Sequence, residues 1–516
     1  MNLLTDSWIP VRPQASGAAR QISLQMLLCG SERWELALPR DDMELAALQL
    51  IICIVQVLFA PKNGAQWWER ARLAQTKHLS EDDYLVGVKQ YQAWFQLDHP
   101  DYPFMQVKKV AAKDPTPMDK LLAGLNSSTN SRFVNEPDLA KGLCFGCVAI
   151  ALYNLANNSP SFGGGFKFGI RGSCPASTFA QGADLRSTIW LNILSQESLD
   201  EYVPDWKAKA NQPPTWVEPI KDKATIPARS IGFLRGLLWQ PGHIALSPPE
   251  TSGQCSCCGH TADKLFTGFN KAKFNYTIDG MWEHPHSPKV FTVKQGKPEA
   301  RYVGFTQSIP AWTQLSRYVV KRDLSELGKS EQGQMPAMVI RQIQKYLPNH
   351  AGKFELLVGG YRNNQAAIIE RRHEVLTLSQ GWETHAKEVH ELVAHGLKYK
   401  TALRKVLFVC AEGIKEKDRK LKGTGLKLQE VGEVQFYRRS EDLMTKALAD
   451  IDFSNTLPTF ITLDSGLKKI CEAIFTELTT PYEHDPELFR TLAITRRSLQ
   501  KHIKEIRVNP PTEDAA

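Results

Sequence analysis

The stretch FELLVGGYRNN, Phe354–Asn364, predicts a buried strand, because its apolar run ends in a glycine pair followed by polar residues. The segment 289–305, KVFTVKQGKPEARYVGF, predicts a hairpin, since β-rich runs flank a Gly-Lys-Pro turn. From about residue 377 onward, apolar residues recur at helical spacing instead. The sequence therefore predicts an α+β fold, with a large mixed α+β domain over residues 1–376 and a C-terminal four-helix bundle over residues 377–516.

Apolar residues that recur every three or four positions predict the helices of the C-terminal part. Two such sets are Leu403, Val406, Leu407, Cys410 and Ile414, and Leu467, Ile470, Cys471, Ile474 and Leu478. A last helix is predicted to open with Asp485 as its cap and Pro486 at its first position. Its predicted buried residues are Leu492, Leu499, Ile503 and Ile506. The basic stretches 413–423 and 496–507 fit either a solvated helix face or a contact with a phosphate backbone.

The composition is that of a globular chain with a mild excess of positive charge. Of the 516 residues, 42% are hydrophobic and 23% are charged, so a sizeable core is expected. The formal net charge of +8 is compatible with a polyanionic partner but is too diffuse to indicate one. The first residues lack a basic segment followed by an apolar core, so no secretory signal is predicted.

The most apolar run, ELAALQLIICIVQVLFA at 44–60, is shorter than a membrane span and is interrupted by Gln49 and Gln56. Asp41 and Asp42 stand just before it and offer an N-cap. The run therefore predicts a buried helix, and we expect a cytoplasmic protein without a membrane partner.

Ten cysteines in a long chain without a secretory signal are expected to stay reduced. Cys144 and Cys147, in LCFGC, have the spacing with which two thiolates bind one tetrahedral zinc ion. Cys255 and Cys258, in GQCSCCGH, have the same spacing. The gap between the pairs is much longer than in a compact zinc ribbon, so the alternative is two unrelated pairs of buried thiols.

Motifs of common enzyme classes are missing from the sequence. The glycine-rich stretch SFGGGFKFGIRG, 161–172, lacks the Lys-Ser or Lys-Thr ending of an ATP-binding loop. His390 and His395 are five positions apart, whereas a zinc-protease helix needs four. The sequence shows neither a nucleophile elbow nor a dinucleotide fingerprint. These absences lower the expectation of an enzyme.

Three polar or glycine-rich features remain: the triglycine stretch, the turn GGYRNNQ, and the segment 270–273, NKAK. Glycine lets a backbone approach a partner that any side chain would block, while amide side chains suit base edges. A lysine nearby can reach phosphates or enter a narrow groove. The alternative is that the glycines only turn the chain and the amides cap neighbouring elements.

Several long stretches together resemble the CasA family, the large subunits of the type I-E CRISPR surveillance complex Cascade. The matching stretches are MNLLTDSWIPVRP, LPRDDMELAAL, NSSTNSRFVNEP, LCFGC, FGGGFK, PARSIGFLRGLLWQP, CSCCG, HPHSP, GGYRNNQA, IIERRHEVL and YKTALRK. They are spread over essentially the whole chain. The resemblance implies that guide RNA reads the target while this protein reads a short flanking motif through the minor groove and opens the duplex.

The resemblance also implies roles for individual residues. The implied DNA-binding residues are Gly163, Gly164, Gly165, Lys273, Asn364, Gln365 and Ala366. Among them, Gly164 is expected to lie against the flanking base pairs and Lys273 to enter the same groove. Gln365 is expected to act as a wedge that forces apart the first target pair.

A second loop, Phe133, Val134 and Asn135, is implied to dock near the guide RNA and the motif-reading site, unless it packs within the subunit. The resemblance favours a structural Zn²⁺ ion held by Cys144, Cys147, Cys255 and Cys258.

The implied partners are double-stranded DNA, the CRISPR guide RNA, other Cascade subunits including the small subunits, and a helicase-nuclease. Because cleavage would lie in that last partner, we expect a nonenzymatic subunit. The alternatives are a zinc-containing nucleic-acid hydrolase and a purely structural zinc scaffold.

Overall fold

The computed structural model describes residues 1–110, 112, 114–125, 140–294, 297–323, 332–347, 352–416 and 419–508. In chain order the helices and strands are β1 Ile9–Pro13, β2 Arg20–Ile22, α1 Leu24–Cys29, β3 Trp34–Leu36, α2 Asp41–Phe59, α3 Gly64–Arg72, α4 Glu81–Val88, β4 Thr116–Pro117, α5 Phe145–Asn157, β5 Ser177–Ala180, α6 Leu185–Leu191, α7 Gln196–Tyr202, β6 Thr225–Pro227, α8 Phe233–Leu237, β7 His243–Leu246, β8 Thr251–Gln254, β9 Thr261–Leu265, β10 Gly268–Ala272, β11 Thr277–Asp279, β12 Lys289–Lys294, β13 Lys297–Tyr302, α9 Leu315–Val319, β14 Gly333–Met335, α10 Met338–Tyr346, β15 Phe354–Asn364, β16 Ala367–Leu378, α11 Ala386–Glu412, β17 Ile414–Glu416, β18 Arg419–Leu421, α12 Leu428–Asp450, α13 Leu457–Thr479 and α14 Phe489–Ile506.

The strands form several small sheets rather than one large one. Their orders are β2-β1-β3, β4-β10-β7, β13-β12-β14 and β16-β15-β5, with the pairs β11-β6, β17-β18 and β8-β9. The predicted strand 354–364 is confirmed as β15, which lies between β5 and β16. The predicted hairpin is confirmed as β12 and β13. A mixed α/β fold is therefore present, as the sequence predicts.

The apolar run at 44–60 forms α2, whose 19 residues are apolar enough to span a membrane by length and composition. In the most apolar part of this helix, 83% of the residues are buried inside the fold, as expected for a core helix. The predicted cap is wrong, because Arg40 is the N-cap residue and makes no side-chain cap bond. Asp41 and Asp42 lie in the first turn, where negative charge favours the positive end of the helix dipole.

The described residues divide into two compact units. The first comprises Met1–Gln307, Arg322–Tyr346 and Leu356–Val375. The second comprises Ser308–Lys321, Leu347–Glu355 and Leu376–Ala516, within the limits of the described ranges. Strands β5 to β13 and the glycine-rich stretch lie in the first unit, and the four long helices α11 to α14 lie in the second.

In the second unit, α11 packs against α9, α12, α13 and α14, and α13 also contacts α12 and α14. The predicted apolar positions of α11 are buried as far as Cys410, but Ile414 begins strand β17 instead of continuing the helix. Gly413 ends α11 with φ +82°, a conformation that glycine adopts without strain. The basic stretch 413–423 is thus a hairpin and not a helix face.

The last helix begins later than predicted. The carbonyl oxygen of Asp485 accepts hydrogen bonds from the N–H groups of Leu488 and Phe489, so Asp485 belongs to a separate turn. Helix α14 starts at Phe489, with Leu488 as its N-cap residue. Leu492, Leu499 and Ile503 are buried as predicted, whereas Ile506 at the end of the helix is only half-buried.

Candidate functional site

The glycine turn, residues 161–166, follows shortly after helix α5. The Phe166 N–H donates to the Gly163 carbonyl oxygen at 3.1 Å and closes a turn with Gly164 and Gly165 at its centre. Gly165 has φ +87°, which the third position of a type II turn requires. A Cβ atom placed on Gly163 or Gly164 would meet nothing within 4 Å among the described residues. The backbone of the turn is therefore open at these two positions.

Lys273 lies directly after strand β10 and contacts the glycine turn. A Cβ atom on Gly165 would stand 2.8 Å from Lys273 Cδ and 3.2 Å from its Cε, so the lysine stem crosses the bare face of this glycine. The Lys273 side chain is exposed, and its ammonium group has no hydrogen bond or ion pair within the described ranges. The structure thus brings Gly165 and Lys273 into contact. Both belong to the residues for which the family resemblance implies DNA binding.

Sequence reasoning missed the residues that flank this contact. The Lys271 ammonium nitrogen lies 3.9 Å from the ring centroid of Phe162 and 5.2 Å from that of Phe166. Phe162 also stacks on Phe269 of β10, with ring centroids 5.9 Å apart. The signal in the sequence was the alternation of Lys271 with Lys273, together with aromatic residues on both sides of the glycines.

Gln365 lies at the tip of the hairpin formed by β15 and β16. Gln365 and Ala366 form the connection between the two strands, and both are exposed, as is Asn364. Gln365 has φ +52°, the left-handed region that non-glycine residues rarely adopt. The Asn363 side-chain amide donates to the Gln365 carbonyl oxygen at 2.7 Å and supports this conformation. The tip therefore presents a glutamine side chain on a strained backbone.

The base of the same hairpin is fixed by Tyr361, which is 1% exposed. Its hydroxyl donates to Asp42 Oδ2 at 2.8 Å and accepts from Asn154 Nδ2 at 2.7 Å. Burial raises the pKa of Tyr361 well above its usual value, so the hydroxyl keeps its proton. Arg40 pairs with Asp42 at 2.6 Å and balances the carboxylate. The hairpin is thus attached to both α2 and α5.

Cys144, Cys147, Cys255 and Cys258 form a cluster in which all four sulfur atoms lie within 4.8 Å of one another. The Sγ atoms of Cys144 and Cys258 are 3.8 Å apart. Hydrogen bonds among the four thiols lower the pKa of Cys144 and Cys255 and raise the pKa of Cys147 and Cys258. The cluster could therefore hold a metal ion. Because all four sulfur atoms lie close together, the alternative of two unrelated thiol pairs is excluded.

Two local structures deliver these thiols. Cys144 is the N-cap residue of α5 and Cys147 lies in the first turn of this helix. The second pair occupies the turn between β8 and β9, and this hairpin is joined to the first pair by backbone hydrogen bonds. Leu143 and Phe266 exchange both of their backbone hydrogen bonds at 2.9 Å.

The remaining predicted residues behave differently. Phe133, Val134 and Asn135 lie outside the described residues. His390 and His395 both lie in α11 but bind separate partners: Ser316 Oγ at 2.7 Å and Asp464 Oδ1 at 2.7 Å, respectively.

The chain belongs to the family of the CRISPR-associated protein Cse1, whose family model matches residues 2–474. Among curated relatives, the protein CasA/Cse1 of Thermus thermophilus is 26% identical over 222 residues. That match covers 40% of this chain and 42% of the relative, so the chain spans less than half of the relative's length in the alignment.

Solved structures are similar over nearly the full length. The crystal structure of Thermobifida fusca Cse1 matches with a TM-score of 0.74 and 15% identity, covering 98% of each chain. A chain of a CRISPR RNA-guided surveillance complex matches with a TM-score of 0.65 and 14% identity, covering 97% of this chain and 99% of that one. At these identities the likeness establishes the fold.

Proposed function

We propose that this chain is a nonenzymatic DNA-recognition subunit of the CRISPR RNA-guided surveillance complex Cascade. In this role it reads a motif that flanks the target, forces apart the first target base pairs, and helps to recruit a helicase-nuclease. The observation that carries the proposal is an open glycine turn beside an exposed lysine that has no partner within the described ranges. Membership of the Cse1 family and the fold shared with a chain of a surveillance complex support it.

The geometry of the glycine turn suits the minor groove of DNA. This groove is about 6 Å wide, so it admits a bare backbone more easily than a helix or a large side chain. Gly163 and Gly164 carry no side chain and face open space. Because the groove distinguishes A·T from G·C pairs mainly through the amino group of guanine, a close backbone discriminates by steric exclusion. Such a reader would tolerate several flanking motifs.

Lys273 would supply the positive charge at this surface. A narrow minor groove has an enhanced negative potential, and a lysine with no counter-ion among the described residues can enter it without first breaking an ion pair. Its stem already lies across Gly165, so the ammonium group and the open glycines would meet the same stretch of duplex.

Gln365 would act as the wedge, with Asn364 and Ala366 beside it. Separating a base step costs a few kcal/mol, so the wedge must be held firmly by the protein. The Tyr361 hydrogen bonds at the base of the hairpin provide that support. Pairing of the opened strand with guide RNA would then prevent reclosure of the duplex.

Gly164 offers the sharpest test of the interface. It has no positive φ, and a Cβ atom there meets no described residue, so Gly164→Ala and Gly164→Asp fit the turn itself. We expect Gly164→Asp to weaken binding of the reconstituted complex to a motif-flanked duplex at least tenfold, which is about 1.4 kcal/mol. Binding to a single-stranded target, which needs no motif, is the control and should stay unchanged. Wild-type affinity of Gly164→Asp for the duplex would remove the turn from the interface.

The thiol cluster would hold a structural zinc ion. Four thiolates at a Zn–S distance of about 2.3 Å stand about 3.8 Å apart in a tetrahedron. The Cys144 and Cys258 sulfur atoms are 3.8 Å apart, which fits this arrangement. Gln21 Nε2 donates to Cys144 Sγ at 3.2 Å, a hydrogen bond that would support a metal-bound thiolate.

A zinc-containing nucleic-acid hydrolase is the alternative. Catalytic zinc sites keep an open position for water, whereas four thiolates would close the coordination sphere. Purified protein incubated with labelled DNA and divalent metals should therefore show no guide-independent cleavage. Cleavage that a point mutation in the cluster abolishes would establish the hydrolase instead.

Partner contacts complete the proposal. Helices α11 to α14 would form the C-terminal four-helix bundle that meets the small subunits, in a complex that acts in the cytoplasm. The loop with Phe133, Val134 and Asn135 would lie near the guide RNA. Cross-linking of the assembled complex through single cysteines introduced on each helix would identify the face that the small subunits cover.

A further inference from the structure

The glycine turn and the strand that carries the lysines hold one another through two separate contacts. Lys271 lies near the end of β10, and Lys273 directly follows this strand, two positions further along the chain. Lys271 lies over the two aromatic rings that flank the glycines, Phe162 and Phe166. Lys273 crosses Gly165 at the centre of the turn. One lysine therefore contacts the ends of the turn and the other contacts its middle.

The three glycines are not equivalent in this arrangement. Gly163 and Gly164 face open space, whereas a Cβ atom on Gly165 would stand 2.8 Å from the Lys273 stem. A Cβ atom at that distance would overlap with the flexible lysine stem, which would have to shift. The missing side chain of Gly165 makes room for part of the protein itself.

Lys271 also differs from its neighbour Lys273. Its ammonium group is 3.9 Å from one ring centroid and 5.2 Å from another, within the range of favourable cation–π contacts. Its side chain is half-buried, whereas that of Lys273 is exposed. Burial, followed by the charge of Lys120, lowers the pKa of Lys271. Lys271 is therefore engaged within the protein and is not extended toward a partner.

We infer that Gly165 and Lys271 are positioning residues that aim Lys273, and that they make no direct contact with DNA. The inference rests on the proposed function, because it concerns the same site at which Lys273 would meet the duplex. Gly165 provides the channel in which the lysine stem lies, and Lys271 clamps the aromatic ends of the turn to β10. Gly164 and the Lys273 ammonium group are then the parts of this surface that face the groove.

A double-mutant cycle on the reconstituted complex tests the role of Gly165. Gly165→Asn adds a Cβ atom with a residue type that is enriched at positive φ, and Lys273→Ala removes the stem that this atom would displace. We expect each single variant to weaken binding to a motif-flanked duplex, and the double variant to bind as weakly as Lys273→Ala alone. If the affinity losses of the two single variants multiply in the double variant, Gly165 acts independently of Lys273 and the inference is overturned.

Gly163→Asn is the matched control for this cycle. Gly163 has φ +108°, so the same substitution there also strains the backbone, but its Cβ atom would meet no described residue within 4 Å. Its loss of affinity should multiply with that of Lys273→Ala. Equal coupling of both glycines to Lys273 would show a general collapse of the turn and would also overturn the inference.

Lys271 is tested by charge and by salt dependence. Lys271→Met keeps the apolar stem and should weaken duplex binding about two- to fivefold, whereas Lys271→Arg keeps the cation over the rings and should restore it. A residue that contacts phosphate lowers the slope of log affinity against log salt by about one when it is removed. We expect no change of slope for Lys271→Met. A lower slope, or failure of the arginine variant to restore binding, would overturn the positioning role.

The same experiments separate this inference from the proposed function. If Gly164→Asp and Lys273→Ala both bind the duplex with wild-type affinity, the surface does not read DNA and both proposals fall. If these variants lose affinity but Gly165 and Lys273 are uncoupled, the proposed function stands and only the inference fails.

Discussion

The left-handed backbone at Gln365 predicts that replacing this residue by glycine stabilises the fold while it weakens the proposed opening of duplex DNA. A non-glycine residue with φ near +52° carries a penalty of about 1–2 kcal/mol, which glycine avoids. The greater backbone freedom of glycine in the unfolded chain offsets about 0.5–1 kcal/mol of this gain. Gln365→Gly should therefore be more stable than Gln365→Ala by about 0.7 kcal/mol. The corresponding rise in the unfolding midpoint is roughly 1–2 °C.

Both variants remove the side chain of the proposed wedge, so both should open duplex DNA poorly. We expect them to weaken binding of the reconstituted complex to an intact duplex at least tenfold, about 1.4 kcal/mol. Binding to a target that is already mismatched at the first pairs should change less than twofold, because no unstacking is then required. The assay compares the two substrates in parallel with thermal unfolding of each variant.

Two results would refute this reasoning. Equal unfolding midpoints for the glycine and alanine variants would show that the backbone at Gln365 carries no strain. Equal losses on the intact and mismatched substrates would show that Gln365 contacts DNA without separating its strands.

Three further predictions concern the thiol cluster and the core. Elemental analysis should find about one zinc ion per wild-type chain and a lower zinc content in Cys258→Ser. Tyr361→Phe should lower the free energy of unfolding by about 2–4 kcal/mol in urea titrations, because two buried hydrogen bonds are lost and one of them ends on a carboxylate. Burial lowers the pKa of His286 from 6.5 to about 3, so the unfolded chain takes up this proton first and stability falls as the pH drops below 6.5. Protonation linked to His286 should lower the free energy of unfolding by about 2 kcal/mol at pH 5, and His286→Phe should remove this contribution.

Each of these predictions has its own contradicting outcome. Full zinc content in Cys258→Ser would place the metal elsewhere. Wild-type stability of Tyr361→Phe would mean that the hairpin is held by other contacts. An unchanged pH dependence in His286→Phe would assign the acid sensitivity to different groups.

The local elements of the fold could be predicted because each is specified by neighbouring residues. The strand 354–364 and the hairpin at 289–305 carry their own apolar patterns and turn residues, and both are present. The helix starts were harder, because side chains that often cap a helix are used elsewhere. Asp42 binds Arg40 and Tyr361, and its backbone partner, the N–H of Met43, lies inside the first turn of α2.

The candidate site depends on contacts between distant parts of the chain, which no local pattern specifies. Cys144 and Cys255 are 111 positions apart, so the sequence spacing fits both a shared metal site and two unrelated thiol pairs. The positions of the sulfur atoms distinguish the two. The contact of Lys273 with Gly165 is likewise invisible in the sequence, since either residue alone could serve many purposes. Similarly, Ile414 fits the helical period, but the glycine before it turns the chain into a hairpin.

The thiol cluster connects the two segments that carry the residues of the proposed motif-reading surface. One pair of thiols lies at the start of α5, and the glycine turn follows the end of that helix by a few residues. The other pair lies in the turn between β8 and β9; β10 follows β9, and Lys273 comes directly after β10. Gentle chelation should therefore blur the preference among flanking motifs before the protein unfolds. A metal ion held by these thiols would in this way affect how precisely the proposed surface distinguishes flanking motifs.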